Sequence, residues 1–197
     1  MPGIPSLGGG ADTFDEQDTF VPEHVPEPGA FLQEQRVLAG DEHVAVHRTA
    51  REVFEERGVY DVTFGYNLAK LNRDTRHESA GFRYAEETAP AAGAKNDLDA
   101  DGRVLRAEFT PTTEFCPQSD ALSIGAFRAF NGECVAHDYD LVRVRVDEMH
   151  QESHSQNMKL RSLEEVYAET GEIRTDIGAG PDEDGTVPNE RGMNAPF

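Results

Sequence analysis

Apolar residues along the chain recur at two different periods, and the alternation between them sets out the order of elements. From Asp41 the positions Val44, Val46, Ala50, Val53 and Phe54 follow a helical spacing that stops near Gly58. A shorter helical piece is expected around Gly65 to Leu71. Gly81 to Ala85 reads as a strand, and Leu105, Ala107 and Phe109 alternate with Arg106 and Glu108 as in a half-buried second strand. The residues between them, with the Asp-rich run 96–101 and Gly102, form the loop of a long hairpin. Ala121, Leu122, Ile124, Phe127 and Phe130 then return to helical spacing behind Pro117, and Asn131-Gly132 ends that helix. Leu141 to Val146 is a strand with Val142, Val144 and Val146 on one face and Arg143 and Arg145 on the other. Leu160, Leu163 and Val166 mark a last helix over Ser155 to Ala168, with Gly171 just beyond its end.

The order is α-β-β-α-β-α. It predicts an α+β fold, a small two-layer sandwich with helices packed on a three-stranded mixed sheet. Residues 41–175 form the one domain. Residues 1–40, rich in Pro, Gly and acids, are expected to be disordered apart from a helical turn or two within Ala30 to Leu38. The acidic tail 176–197 is expected to be disordered as well.

Charge narrows the range of partners. The 18 Lys and Arg face 38 Asp and Glu, a formal net charge of -20, so nucleic acid and anionic lipid are repelled. Lysine occurs only at 70, 95 and 159, and arginine supplies the rest of the positive charge. That balance suits a high-salt cytoplasm, where ions screen the self-repulsion of an acidic fold. No apolar run is long enough to span a bilayer, and no signal peptide is evident. A cytoplasmic protein with two reduced thiols, Cys116 and Cys134, is expected.

Cys116 lies between the second strand and the helix opened by Pro117. The first N–H groups of a helix lack partners within it and carry the positive end of its dipole, so a cysteine there is expected to be stabilised as the thiolate. His150 and His154 have the spacing of two rings on one helix face, within range of one metal ion. Cys116 and Cys134 with one histidine form a second candidate metal set. Solvated polar residues, a buried thiol and an incidental Cys134 are the plainer readings of the same positions. His43 and His47 share the spacing on the first helix without other site residues nearby, and His137-Asp138 reads as a turn. The run 96–101 lacks the twelfth-position glutamate and the helix pair of a calcium loop.

Three stretches resemble the iron-sulfur cluster assembly family, which includes the cytosolic iron-sulfur targeting subunit and the phenylacetate-degradation maturation protein. Phe109-Thr110-Pro111-Thr112 followed by Cys116 looks like the strand-end motif before that family's reactive cysteine. Cys116-Pro117 with Asp120 and Leu122 looks like its opening of the next helix. His150, His154, Asn157 and Leu160 resemble its His-rich loop and last helix. The resemblance covers residues 41–170 and implies an assembly or maturation factor that is not an enzyme. Cys116 would bind a transient iron-sulfur cluster or iron, with His150 and His154 as metal ligands. Thr110, Pro111, Thr112, Pro117, Asp120 and Asn157 would support the motif. Iron-sulfur carrier or client proteins would be its partners. A thiol enzyme with Cys116 as nucleophile and His137 or His150 as base, and an interaction domain with a buried cysteine, are the alternatives. A homodimer is among the expectations, because a three-stranded sheet leaves edges to cover.

Overall fold

A computed structural model describes residues 25–74, 76–88, 102–133 and 136–173. The chain forms β1 (Arg36–Val37), α1 (Gly40–Arg57), β2 (Tyr60–Asp61), β3 (Tyr66–Asn67), a 3-10 helix (Leu68–Arg73), β4 (Gly81–Glu86), β5 (Val104–Thr110), α2 (Ser119–Gly132), β6 (Leu141–Val146) and α3 (Ser153–Thr170). The long elements follow the expected α-β-β-α-β-α order, and the fold is α+β. The sheet is mixed but has four strands rather than three, in the order β1-β4-β5-β6. β5 runs antiparallel to β4 and parallel to β6. β2 and β3 make a separate two-stranded hairpin.

The register explains the two layers. Phe82, Tyr84, Leu105, Ala107, Phe109, Val142, Val144 and Val146 share one face, since paired residues project to the same side. All are buried. Helices α1 and α2 close over this face, where Phe54 packs on Phe82 and edge-on to Phe130 at 5.4 and 5.3 Å between ring centres. At its C-terminus α1 is stopped by Gly58, whose left-handed φ of 65° suits a residue without a Cβ.

The opposite face carries charge. Glu87 pairs with Arg106 and Arg143, and Glu164 of α3 pairs with Arg143 and Arg145. Residues 25–34 lie over this face. Phe31 sits 4.9 Å from the Arg106 guanidinium and 5.2 Å from that of Arg145, and Leu32 is fully buried. Glu108 accepts the Gly29 N–H at 2.6 Å. Burial, opposed by the Gly29 N–H and reinforced by Asp147, pushes its carboxyl up to about 7. Among the described residues packing therefore already includes 25–40; within the stretch expected to hold a helical turn, residues 30–34 do form turns, with the Gln33 N–H on the Gly29 carbonyl at 3.2 Å, and Arg36–Val37 enters the sheet as β1. Two residues of strand give no readable period, and what orders them is pairing with the distant β4.

The sheet edges are sealed by side-chain amides. Asn131 of α2 donates to the Val142 carbonyl and accepts the Val142 N–H, both at 2.9 Å. Asn157 of α3 does the same to Val146, at 2.9 and 2.8 Å. On the other side Asn72 pairs with both backbone groups of Phe82, at 2.8 and 2.7 Å, and β1 takes the remainder of β4. Each asparagine replaces one residue of a neighbouring strand. Side-chain amides thus occupy parts of the β4 and β6 edges, and β1 is itself an edge strand of only two residues.

Candidate functional site

β5 and β6 are parallel, so their C-terminal ends lie side by side, and the loops that leave them start α2 and α3. The loop after β5 runs through the buried Pro111 to Cys116. Thr110 ends the strand, and Thr112 and the exposed Pro117 flank the turn in which the Cys116 N–H reaches the Thr113 carbonyl at 3.3 Å. Gln118 pins this loop to the β2–β3 hairpin: its side chain accepts the Val62 N–H at 3.1 Å and donates to the Thr63 hydroxyl at 2.5 Å. Asp120 pairs with Lys159 of α3.

The loop after β6 brings His150 to the cysteine. His150 is buried, and its Nδ1 accepts the Glu152 N–H at 3.2 Å, which places the proton on Nε2. Nε2 stands 3.1 Å from both the Cys116 carbonyl and the Ser119 hydroxyl. Ser119 is also bonded to Gln156 of α3, and the Gln151 N–H reaches the Glu114 carbonyl at 3.0 Å. His150 therefore ties the cysteine loop to the start of α3 with both ring nitrogens engaged. It has neither a lone pair free for a metal nor a free basic nitrogen for a thiol.

The thiol departs from expectation. Cys116 is free and half-buried. Burial pushes its pKa up, the Gln118 N–H pulls it down, the Asp61 charge raises it again and the Ser119 N–H lowers it. The helix-start amides act as anticipated, but desolvation outweighs them. The group is a protonated thiol at neutral pH and not the expected thiolate.

The remaining candidates fall in different places. His154 is exposed on the first turn of α3, and no group of three or more His, Cys, Asp or Glu side chains converges for a metal among the described residues. Asn157 is the edge seal on Val146. His43 and His47 are buried and stacked, with His47 Nδ1 3.0 Å from the Tyr84 hydroxyl. Burial, with His47 and Arg83 nearby, pushes His43 down to about 3. His137 donates to the Phe130 carbonyl at 2.9 Å and accepts the Tyr139 N–H, as a turn residue does. It lines a cavity of about 240 Å³ at the far end of the sheet, with Val46, Leu105 and Phe130. α2 spans about 20 Å between Cys116 and His137, so that pair cannot act together. Cys134 and the run 96–101 lie outside the described residues.

Periodicity gave no sign of Gln118, Ser119 and Gln156, because polar tethers between loops have no period. The sequence does carry one signal of this region: Phe115 and Met149 are large apolar residues inside polar loops. Among the described residues the exposed large apolar side chains are Val62 (79 %), Phe115 (60 %), Met149 (41 %) and Met158 (49 %). The first three sit in the three loops that hold Cys116.

Fold and site together define an α+β domain that presents a protonated thiol among exposed apolar side chains where two parallel strands end. A family described as a domain of unknown function (DUF7998) matches residues 12–174, and the chain belongs to that family. No curated protein and no solved structure matches it. No helix among the described residues is long and apolar enough to cross a membrane.

Proposed function

We propose that this protein is a cytoplasmic assembly or maturation factor for iron-sulfur proteins that works by docking, with the Cys116 end as its working surface. The observation that carries the reading is the placement of a half-buried thiol between exposed Phe115 and the helix start, beside exposed Met149. The element order and the strand-end cysteine loop support the resemblance from which the iron-sulfur part comes. The cluster or iron is cargo, and Cys116 supplies one ligand while the client or carrier supplies the others. A thiol whose pKa is raised by burial stays protonated and unreactive until a cation arrives to displace the proton. The engaged ring of His150 favours this binding role over a nucleophile-base pair.

The test is in cells. Replacing the native copy by Cys116→Ser should lower the cluster occupancy of client proteins while leaving the level of this protein unchanged. Full occupancy with Cys116→Ser overturns the reading.

A further inference from the structure

We infer that the Cys116 end docks a partner protein that presents an apolar contact ringed by Arg or Lys. The inference rests on the functional reading above and names the chemistry of the partner for that same surface. Its basis is the composition of three loops that the structure ties together. Residues 61–66, 111–118 and 147–152 are joined by the Gln118 bonds to the hairpin, the His150 bond to Cys116 and the Gln151–Glu114 bond. They expose Val62, Phe115 and Met149. Their charged residues are Asp61, Glu114, Asp147, Glu148 and Glu152, and they contain no Lys or Arg. Elsewhere on the chain arginines lie among the acids, as in Arg36 with Glu42 and Glu86, or Arg103 with Glu86.

The nearest cations come from outside the loops, and two of them are paired with acids: Arg76 over Phe64 bonds Asp74 and Lys159 bonds Asp120, while Lys70 stands over Tyr66. An apolar centre with a mainly acidic rim is a usual arrangement of a protein docking surface, and the rim selects a partner of the opposite sign. A second copy of this chain is the wrong occupant. It would press Glu114, Glu148 and Glu152 against acids of the same kind and leave them desolvated without partners. The chain's own residues 12–24 are also acidic, with Asp12, Asp15, Glu16, Asp18 and Glu23 and no cation, so they carry the same wrong sign.

The experiment titrates the full-length protein with a synthetic amphipathic helix that has Leu on one face and Arg on the other, followed by amide chemical shifts. A peptide with Glu in place of Arg serves as the reference. Binding of the Arg peptide should shift residues in the three loops and weaken about tenfold in Phe115→Ser and in Met149→Ser. Met158→Ser, exposed on the outer side of α3, should bind as wild type. The triple change Glu114→Gln, Glu148→Gln, Glu152→Gln should weaken binding much more than Glu56→Gln, Glu165→Gln, Glu169→Gln, which removes the same charge elsewhere. Equal loss in both triples, shifts spread over the whole surface, absence of binding, or concentration-dependent self-association through the loops would each overturn the inference. Cys116→Ser should still bind the peptide. Failure of docking is thereby distinguishable from failure of the iron-sulfur reading, which Cys116→Ser tests by cluster occupancy.

Discussion

Along its edges the sheet is closed, whereas at the end where β5 and β6 stop it is left open. On the edges, Asn72, Asn131 and Asn157 each satisfy both backbone groups of a strand residue, which shortens the stretches left to pair with another chain. At the open end the polar groups are equally well satisfied, by His150, Ser119, Gln118 and Gln156, but the apolar side chains are not covered. Burying Val62, Phe115 and Met149 inside the chain would have stabilised the fold. Side-chain tethers hold backbone groups in both regions, and the difference between them lies in apolar exposure. That contrast is what the proposed docking at the second region rests on.

The contrast is broken most severely at the edges. Asn131→Ala leaves the Val142 N–H and carbonyl buried without partners, and should cost roughly 2–4 kcal/mol in urea unfolding. Asn72→Ala should cost a similar amount, and Asn157→Ala less, because its site is only partly buried. The bared β6 edge should also promote association, detected by light scattering. Unchanged stability in Asn131→Ala would remove the edge-seal account.

Next in size is the tether at the open end. His150→Ala removes one bond each from the Cys116 carbonyl, the Ser119 hydroxyl and the Glu152 N–H, the first two keeping the Ser119 N–H and Gln156. It should cost about 1–3 kcal/mol and speed alkylation of Cys116 by loosening its loop.

The charged face gives a pH dependence. Glu108 keeps its proton up to about pH 7 in the folded chain, against an ordinary value of 4.5. A carboxyl whose pKa is raised on folding contributes stability that is full below about pH 4.5 and is lost as the pH rises through about 7. Glu108→Gln should flatten that slope in thermal melts. Gly29→Ala tests the same contact, because a Cβ there would stand 2.7 Å from Glu108 Oε1 and 2.8 Å from Asp147 Oδ2. Hydrogen exchange of residues 29–34 should rise in that variant.

The smallest effects belong to the open end itself. Phe115→Ser should change stability by no more than about 0.5 kcal/mol, since the ring is already in water. Alkylation of Cys116 at pH 7 should run slower than that of an unstructured cysteine, and Asp61→Asn should quicken it by removing a charge that raises the thiol pKa.

The long elements were legible because they bury one face each, and a buried face writes its period into the sequence. β6 falls on the expected residues 141–146, with its valines and arginines on the expected sides, while α1, α2 and α3 begin or end within one to two residues of the pattern. β1 and the packed residues 25–34 were not legible, because what orders them lies far away in sequence, Glu86 for Arg36 and Glu108 for Gly29, and the β2–β3 hairpin was not, because two residues of strand on each side write no period. At the site the position of Cys116 between strand and helix was readable, but its protonation was not. Helix-start amides are a local feature that a sequence announces, whereas the desolvation that outweighs them depends on how three loops close over the sulfur. Asn131 shows the same limit. Its sequence context marked a helix end, while its side chain closes a strand edge eleven residues on.

The central claim is that the open end receives iron-sulfur cargo through Cys116. The most direct test is anaerobic reconstitution of the purified protein in high salt with iron, sulfide and a small-molecule thiol that stands in for the ligands of the client, with protein-bound visible absorption compared after desalting between wild type and Cys116→Ser. The account predicts a chromophore in the wild type that is lost in Cys116→Ser. The same chromophore in both proteins, or none in either, would contradict it.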